Sequence, residues 1–119
     1  MLMLPPSVRI WAAVESVDMR RGFDGLSALV RETLGADVAG GDLFVFRNRQ
    51  GDKLKIIFAS RQGLCLFAKR LEKGVFHFPD ADTAALEIDA AQLAVLLEGL
   101  EFAARKPMAV RVRPGVALR

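Results

Sequence analysis

The chain has 119 residues, 52% of them hydrophobic, and a net charge of +3, which suits one core that buries roughly two thirds of the unfolded surface. A single cysteine, Cys65, excludes an internal disulfide framework, and one histidine, His77, leaves a structural zinc site short of ligands. Charge interrupts every apolar run well before the ~20 residues that span a bilayer, and the N-terminal MLMLPPSVRI lacks a basic segment followed by an apolar one; the expectation is a soluble, cytoplasmic protein with no membrane partner.

Following Pro5-Pro6, Val8, Ile10 and Ala12 alternate with Arg9 and Trp11, which predicts a short strand with proline at its entrance. From Asp18, a candidate N-cap, the period changes: Phe23, Leu26, Leu29, Val30, Thr33 and Leu34 recur at three and four, and Gly35 stands at the stop of a helix. Gly22 and Gly25 each cost about 1 kcal/mol relative to alanine inside a helix. They therefore predict a late helix start or a close approach by another backbone, the plainer version being a tight helix-to-sheet contact.

Asp42–Asn48 sets Phe44 and Phe46 against Leu43, Val45 and Arg47, and Lys53–Phe58 sets Leu54, Ile56 and Phe58 against Lys53, Lys55 and Ile57. Both have the two-residue period of strands, and the intervening Asn48-Arg49-Gln50-Gly51-Asp52 suits a hairpin loop with glycine at positive φ. In this reading the face opposite the phenylalanines gathers Arg47, Arg49, Lys53 and Lys55 near the tip. Leu64, Phe67, Ala68 and Leu71 fall at i, i+3, i+4 and i+7 and predict a short helix ended by Gly74, although Leu-Cys-Leu-Phe also reads as strand. Val75–Phe78 reads as another strand and Ala85–Ile88 as an edge strand. Asp89 then caps a helix with an apolar face of Leu93, Leu96, Leu97 and Leu100.

Charge is distributed unevenly. Residues 47–73 hold eight cations against two carboxylates, a net of +6, whereas residues 74–104 hold six carboxylates and no Lys or Arg. Such asymmetry bears on partners more than on fold. A two-stranded basic ribbon can lie along or within a major groove, and its guanidinium groups can grip phosphates or read guanine edges. The same cations also fit an ordinary solvated face whose lysines discourage edge-to-edge pairing.

Catalytic patterns are weak by comparison. Asp18, Asp24, Asp52 and Glu72 supply carboxylates for a magnesium ion on paper, but Asp18 has a capping role, Asp52 a turn role, and Glu72 sits among cations. Cys65 lies in an apolar run, His77 alternates with Phe76 and Phe78, and no glycine-rich loop precedes a Lys-Ser or Lys-Thr pair. The expectation is no enzyme, no cofactor and no metal.

Three segments carry a family resemblance: Val17–Leu29, VDMRRGFDGLSAL; Gly41–Ile57, GDLFVFRNRQGDKLKII; and Gly63–Phe78, GLCLFAKRLEKGVFHF. With the closing AAQLAVLLEGLEF at Ala90–Phe102, the chain resembles the small accessory proteins, the second-open-reading-frame or TnpB products, of insertion-sequence-66 elements of bacteria. The matching residues are Asp18–Gly25 in the first segment, Phe46, Arg47, Arg49, Gly51, Asp52 and Lys55 in the second, and Gly63, Leu64, Cys65, Lys69, Arg70 and Leu71 in the third. One departure is Phe58-Ala59, where many members carry tryptophan, which removes a base-stacking candidate from that strand. The resemblance implies a protein that assists transposition without cutting DNA, with the transposase and a second accessory protein of the same element as partners.

Together these readings predict an α+β fold in which a small, mainly antiparallel sheet, built around a central hairpin, packs against two or three helices. Its phenylalanine face would meet the Arg21–Leu34 helix and the Asp89–Leu100 helix. One domain over residues 1–104 is expected, followed by a basic, flexible tail over 105–119. The expected DNA-binding residues are Arg47, Arg49, Lys53, Lys55, Lys69 and Arg70, extended by Arg20 and Arg21. The other expected role is that of an adaptor docking on the transposase or the second accessory protein.

Overall fold

Alternating and continuous apolar runs assemble into one five-stranded sheet in the computed structural model, which describes residues 7–101. In chain order the elements are β1 (Ile10–Ala13), α1 (Phe23–Leu34), a 3-10 turn (Val38–Gly40), β2 (Leu43–Arg47), β3 (Lys53–Ser60), β4 (Gly63–Arg70), β5 (Ala85–Ile88) and α2 (Ala90–Leu97). The strands lie in the order β4-β3-β2-β1-β5. The expected hairpin is β2–β3, and β4 extends it into an antiparallel meander. β1 runs parallel to β2 and antiparallel to β5. A parallel pair needs a long crossover, and α1 lies in that connection. The small, mainly antiparallel α+β fold is as the sequence predicts, with β5 as an edge strand. The basic segment over 105–119 and the Pro5-Pro6 entrance lie outside the described residues.

Register decides the two faces. Phe44 stands opposite Ile57 and Phe46 opposite Lys55, while Val45 meets Ile56 and Arg47 meets Leu54. Directly opposed residues share a face. One core therefore joins Trp11, Phe44, Phe46 and Ile57 to Leu26, Val30 and Leu34 of α1, and the other joins Ile10, Leu43, Val45, Leu54 and Ile56 to Leu93 and Leu96 of α2. Both helices were expected on the phenylalanine face; α2 instead covers the opposite one. The reason is already in the composition of β1 and β2, whose IWAA and LFVF runs are apolar on both sides and fully buried, the pattern of strands enclosed by two layers.

Further corrections are local. Helix α1 begins at Phe23 with Gly22 as its N-cap, so Asp18 caps nothing there and the late start is the correct account of Gly22. A Cβ on Gly25 would lie 3.1 Å from Cβ of Arg21, so the chain entering the helix crowds this position, and the sheet does not. The C-terminal expectation holds: Gly35 takes φ 63° and its N–H reaches back to the last turn. Asp89 caps α2 through a reciprocal box in which its carboxylate accepts from Gln92 N at 2.7 Å and Gln92 Oε1 accepts from Asp89 N at 2.9 Å. The stretch expected as a second helix is strand β4, paired with β3 along its whole length. Apolar residues at 64, 66 and 67 satisfy both periods, and the ladder offered by β3 outweighs the weak helical preference. Residues 75–78, expected as a strand, are irregular, with Phe76 alone among them buried.

The hairpin tip is built by one side chain. Asn48 is buried; its Oδ1 accepts from Gly51 N at 2.9 Å and Lys53 N at 3.0 Å, and its Nδ2 donates to Asp52 Oδ1 at 2.7 Å. Gly51 sits at φ 82°, where a Cβ would also press on Val75 at 3.3 Å. Leu71 N and Phe76 N donate to the carbonyls of Asp52 and Gly51, both at 2.8 Å, so the following chain clamps the tip.

Two stability outcomes are expected. Asn48→Ala takes the side-chain acceptor from Lys53 N and the donor from Asp52, leaving Gly51 N only the longer bond to the residue-48 carbonyl, and should cost about 1–3 kcal/mol, read as a lower urea midpoint at unchanged slope. Ser27 Oγ, buried in α1 with no hydrogen-bond partner among the described residues, gives the opposite result: Ser27→Ala removes this hydroxyl and improves helix propensity, raising stability by about 0.5–1 kcal/mol. A fall in the Ser27→Ala midpoint would contradict that assignment.

Candidate nucleic-acid interface

Between the hairpin tip, the end of β4 and the loop that enters α1 lies an open cleft of about 590 Å³. Six cations line it, Arg20, Arg49, Lys53, Lys55, Lys69 and Arg70, against one carboxylate, Asp18. The β3–β4 register sets Lys53 opposite Arg70 and Lys55 opposite Ala68. All four project on the α1 side of the sheet, beyond the apolar rows that α1 covers.

The cations differ in how they are engaged. Arg49 and Lys53 are exposed, and neither side chain has a hydrogen-bond or ion-pair partner among the described residues. Arg70, also exposed, contacts Glu72 Oε2 at 3.2 Å across the surface. Lys55 Nζ donates to the carbonyls of Met19 at 2.7 Å and Arg21 at 2.8 Å. It thereby ties the loop before α1 to the sheet and puts its charge in the wall of the cleft. The Arg20 side chain is 91% exposed and is bound to Asp18.

Two expected members spend their charge on the other face, Lys69 although it also borders the cleft. Arg47 and Lys69 both flank Leu54 in register, which places their side chains on the α2 side. Arg47 Nη2 donates to Val14 O at 2.8 Å and its guanidinium lies over the Phe78 ring at 5.5 Å. Lys69 Nζ donates to Leu97 O at 2.7 Å, with Glu98 at 4.0 Å, a cation at the negative end of α2. Arg21 is exposed and offers its carbonyl to Lys55. The expected grouping of Arg47, Arg49, Lys53 and Lys55 opposite the phenylalanines is thus corrected: Phe46 faces Lys55, so Lys53 and Lys55 share the phenylalanine side. Alternation within each strand cannot reveal this, because the loop length sets which residues oppose one another.

Asp18 is the electrostatic feature that the sequence reading missed. Its carboxylate accepts from Arg20 N at 2.9 Å, Arg20 Nε at 3.1 Å and Arg20 Nη2 at 2.7 Å. The guanidinium bonds first, and the backbone N–H second, hold its carboxyl down to about 2 and raise Arg20 above its ordinary value. An aspartate two residues before an arginine, in a turn, is the local signal for such a clasp. Away from the cleft, Arg9 forms a bidentate pair with Glu87 at 2.8 and 2.9 Å that joins β1 to β5, and the bonds to Glu87 raise the Arg9 pKa.

The carboxylates considered for a metal are dispersed: Asp18 on Arg20, Asp24 in the first turn of α1, Asp52 on Asn48 and Glu72 on Arg70. Among the described residues no three His, Cys, Asp or Glu side chains gather as a cation site. Cys65 is half-buried in β4 and His77 is exposed. No helix among the described residues is long and apolar enough to cross a membrane.

Comparison with known proteins places this geometry in a family. The chain is 46% identical over 102 residues to the uncharacterized protein y4hO of Sinorhizobium fredii (strain NBRC 101917 / NGR234), covering 84% of this chain and 89% of that protein. It is 41% identical over 110 residues to the uncharacterized protein y4jC of the same strain, covering 89% and 94%. No solved structure matches the chain significantly. The family model described as IS66 Orf2 like protein matches residues 8–107. The chain belongs to the IS66 Orf2-like family, the small accessory products of insertion elements.

Proposed function

We propose that the protein is a non-catalytic transposition accessory that works in the cytoplasm and grips DNA phosphates with Arg49, Lys53, Arg70 and Arg20, with Lys55 supporting the cleft wall. The observation that carries this reading is the convergence of exposed cations from β3, β4, the hairpin tip and the loop before α1 on one cleft with a single carboxylate. A rigid frame matters because phosphate contacts fix register and orientation on the duplex, and here the tip is held by Asn48 and clamped by residues 71–76. Arg47, Lys69 and Arg21 leave the proposed contact set: the first two spend their charge on Val14, Phe78 and the end of α2, and Arg21 does not line the cleft.

A second reading has its own support. Residues 74–101 carry six carboxylates and no Lys or Arg, and Asp80, Asp82, Asp89, Glu98 and Glu101 are exposed. This acidic surface suits an adaptor that docks on a basic patch of the transposase or the second accessory protein of the element.

Fluorescence anisotropy of the full chain with a labelled duplex, across a salt series, separates the readings. The Arg49→Ala/Lys53→Ala/Arg70→Ala variant should bind more weakly and lose about 2–3 from the slope of log affinity against log salt, since each phosphate contact contributes about 0.9. Unchanged affinity and slope in a folded variant would sink the cleft as the contact surface. No binding by the wild type at low salt would leave the adaptor reading.

Asp18 supplies a test with a defined sign. Its folded pKa, about 2, lies below the ordinary carboxylate value of about 3.9, so the clasp is fully formed above that ordinary value and is lost as pH falls through about 2. Carbon-detected NMR titration should show this midpoint, and Arg20→Ala should raise it toward the ordinary value without reaching it, because the N–H of residue 20 still donates to the carboxylate. In the DNA assay Asp18→Asn should tighten binding, because it frees Arg20 and removes the one carboxylate of the cleft.

A further inference from the structure

The two ends of the sheet differ. At one end β5 spans only Ala85–Ile88; at the other β4 runs from Gly63 to Arg70 and is paired with β3 without a break in register. On its outer side β4 has no strand neighbour among the described residues.

Two hydrogen bonds establish what that outer side offers. Asn48 N donates to Lys53 O, and Leu71 N donates to Asp52 O. Bonded positions alternate along an antiparallel ladder, so the first bond turns Lys53, Lys55 and Ile57 toward β2. The second, independently, turns Leu54, Ile56 and Phe58 toward Lys69, Phe67 and Cys65 of β4. The backbone N–H and C=O groups of Leu64, Leu66 and Ala68 therefore point away from the sheet. Natural edges of this length are blunted by proline, a bulge or inward charge. From Gly63 to Ala68 there is none of these, and the exposed large side chains are Leu64 on the α1 side and Phe67 on the α2 side.

We propose that β4 pairs antiparallel with β4 of a second copy of this chain, about a two-fold axis through Leu66. The pleat restricts the choice. Opposed residues in an antiparallel pair share a face, so a symmetric pair must place its axis through a residue and not between two. Through Leu66, whose backbone groups point outward, the axis bonds Leu66 to its own copy and Leu64 to the second copy's Ala68, in both directions. The apolar run 64–68 then covers itself on both faces. Charge fits the same register: Lys69 and Arg70 lie opposite Gly63 and Gln62 of the second copy, away from their own counterparts, and the Arg61 turn comes beside Glu72. The two-fold stands perpendicular to the sheet, so both α1 faces, and with them both basic clefts, look to one side of the joined sheet.

Sedimentation equilibrium of the full chain over a concentration series tests this independently of DNA. The expected mass is twice 13.0 kDa. Ala68→Pro keeps the β3 ladder, because the lost N–H points outward, and should yield a monomer with an unchanged circular dichroism spectrum. Should that variant fail to fold, a charge pair reads the same register. Leu64→Lys/Ala68→Lys sets like charges in opposition and should separate the copies, whereas Leu64→Lys/Ala68→Glu sets opposite charges in opposition and should restore the dimer. A wild-type monomer at every concentration, a dimer that survives the Lys/Lys change, or a Lys/Glu variant that stays monomeric would each overturn the proposal.

Discussion

Burial of the sheet on both faces is the constraint from which the other features follow. With α1 over one side and α2 over the other, β1 is buried at every position and β2 at all but its last. Charge can then appear only where strands leave the sandwich. The hairpin end of β3 is such a place, and its alternation of Lys53, Lys55 and Ile57 on one side changes from charged to apolar as the strand passes beneath α1. The cleft is thus the edge of the core: the same row of side chains that packs against Leu26 and Val30 further along presents ammonium groups at its start.

Holding that edge still requires polar bonds in place of packing. Asn48 satisfies two backbone donors inside the hairpin loop, and Lys55 satisfies two carbonyls in the loop before α1. A buried carboxylate does similar service deeper in the sheet, where Asp42 accepts from Trp11 Nε1 at 3.1 Å and Arg9 N at 3.3 Å across the parallel β1–β2 pair. Each would carry a large penalty if left unpaired, so each specifies one arrangement of its loop or strand. Cations here consequently divide by their partners. Those that meet carbonyls, such as Arg47, Lys55 and Lys69, build the frame, and those left in solvent, such as Arg49 and Lys53, give the frame its positive potential.

Where short-range signals carried the information, sequence and structure agree. The hairpin follows from two alternating runs around a loop with Gly51, the end of α1 from Gly35, and the start of α2 from the Asp89 and Gln92 box. Each depends on atoms within a few residues of one another. Part of the candidate site was legible in the same way: Arg49, Lys53, Lys55 and Arg70 stand out as a dense basic stretch, and the β2–β3 hairpin, β4 and the loop before α1 bring them, with Arg20, to one cleft. The clasp of Arg20 by Asp18 lay equally close in sequence but was obscured by the competing assignment of Asp18 as a helix cap.

By itself the sequence determined the fold class, the hairpin, both helices, the concentration of positive charge and the family, because periodicity, caps and motif residues are local properties of the chain. Tertiary structure alone decided three matters. It made Gly63–Arg70 a strand, since a ladder with β3 supplies hydrogen bonds that no local preference reveals. It put α2 on the face away from α1, since alternation shows that a strand has two faces without showing which helix covers each. And it sorted Arg47 and Lys69 from Lys53 and Arg70, because the cross-strand register, a relation between residues far apart in the chain, determines the side of the sheet on which a charge emerges.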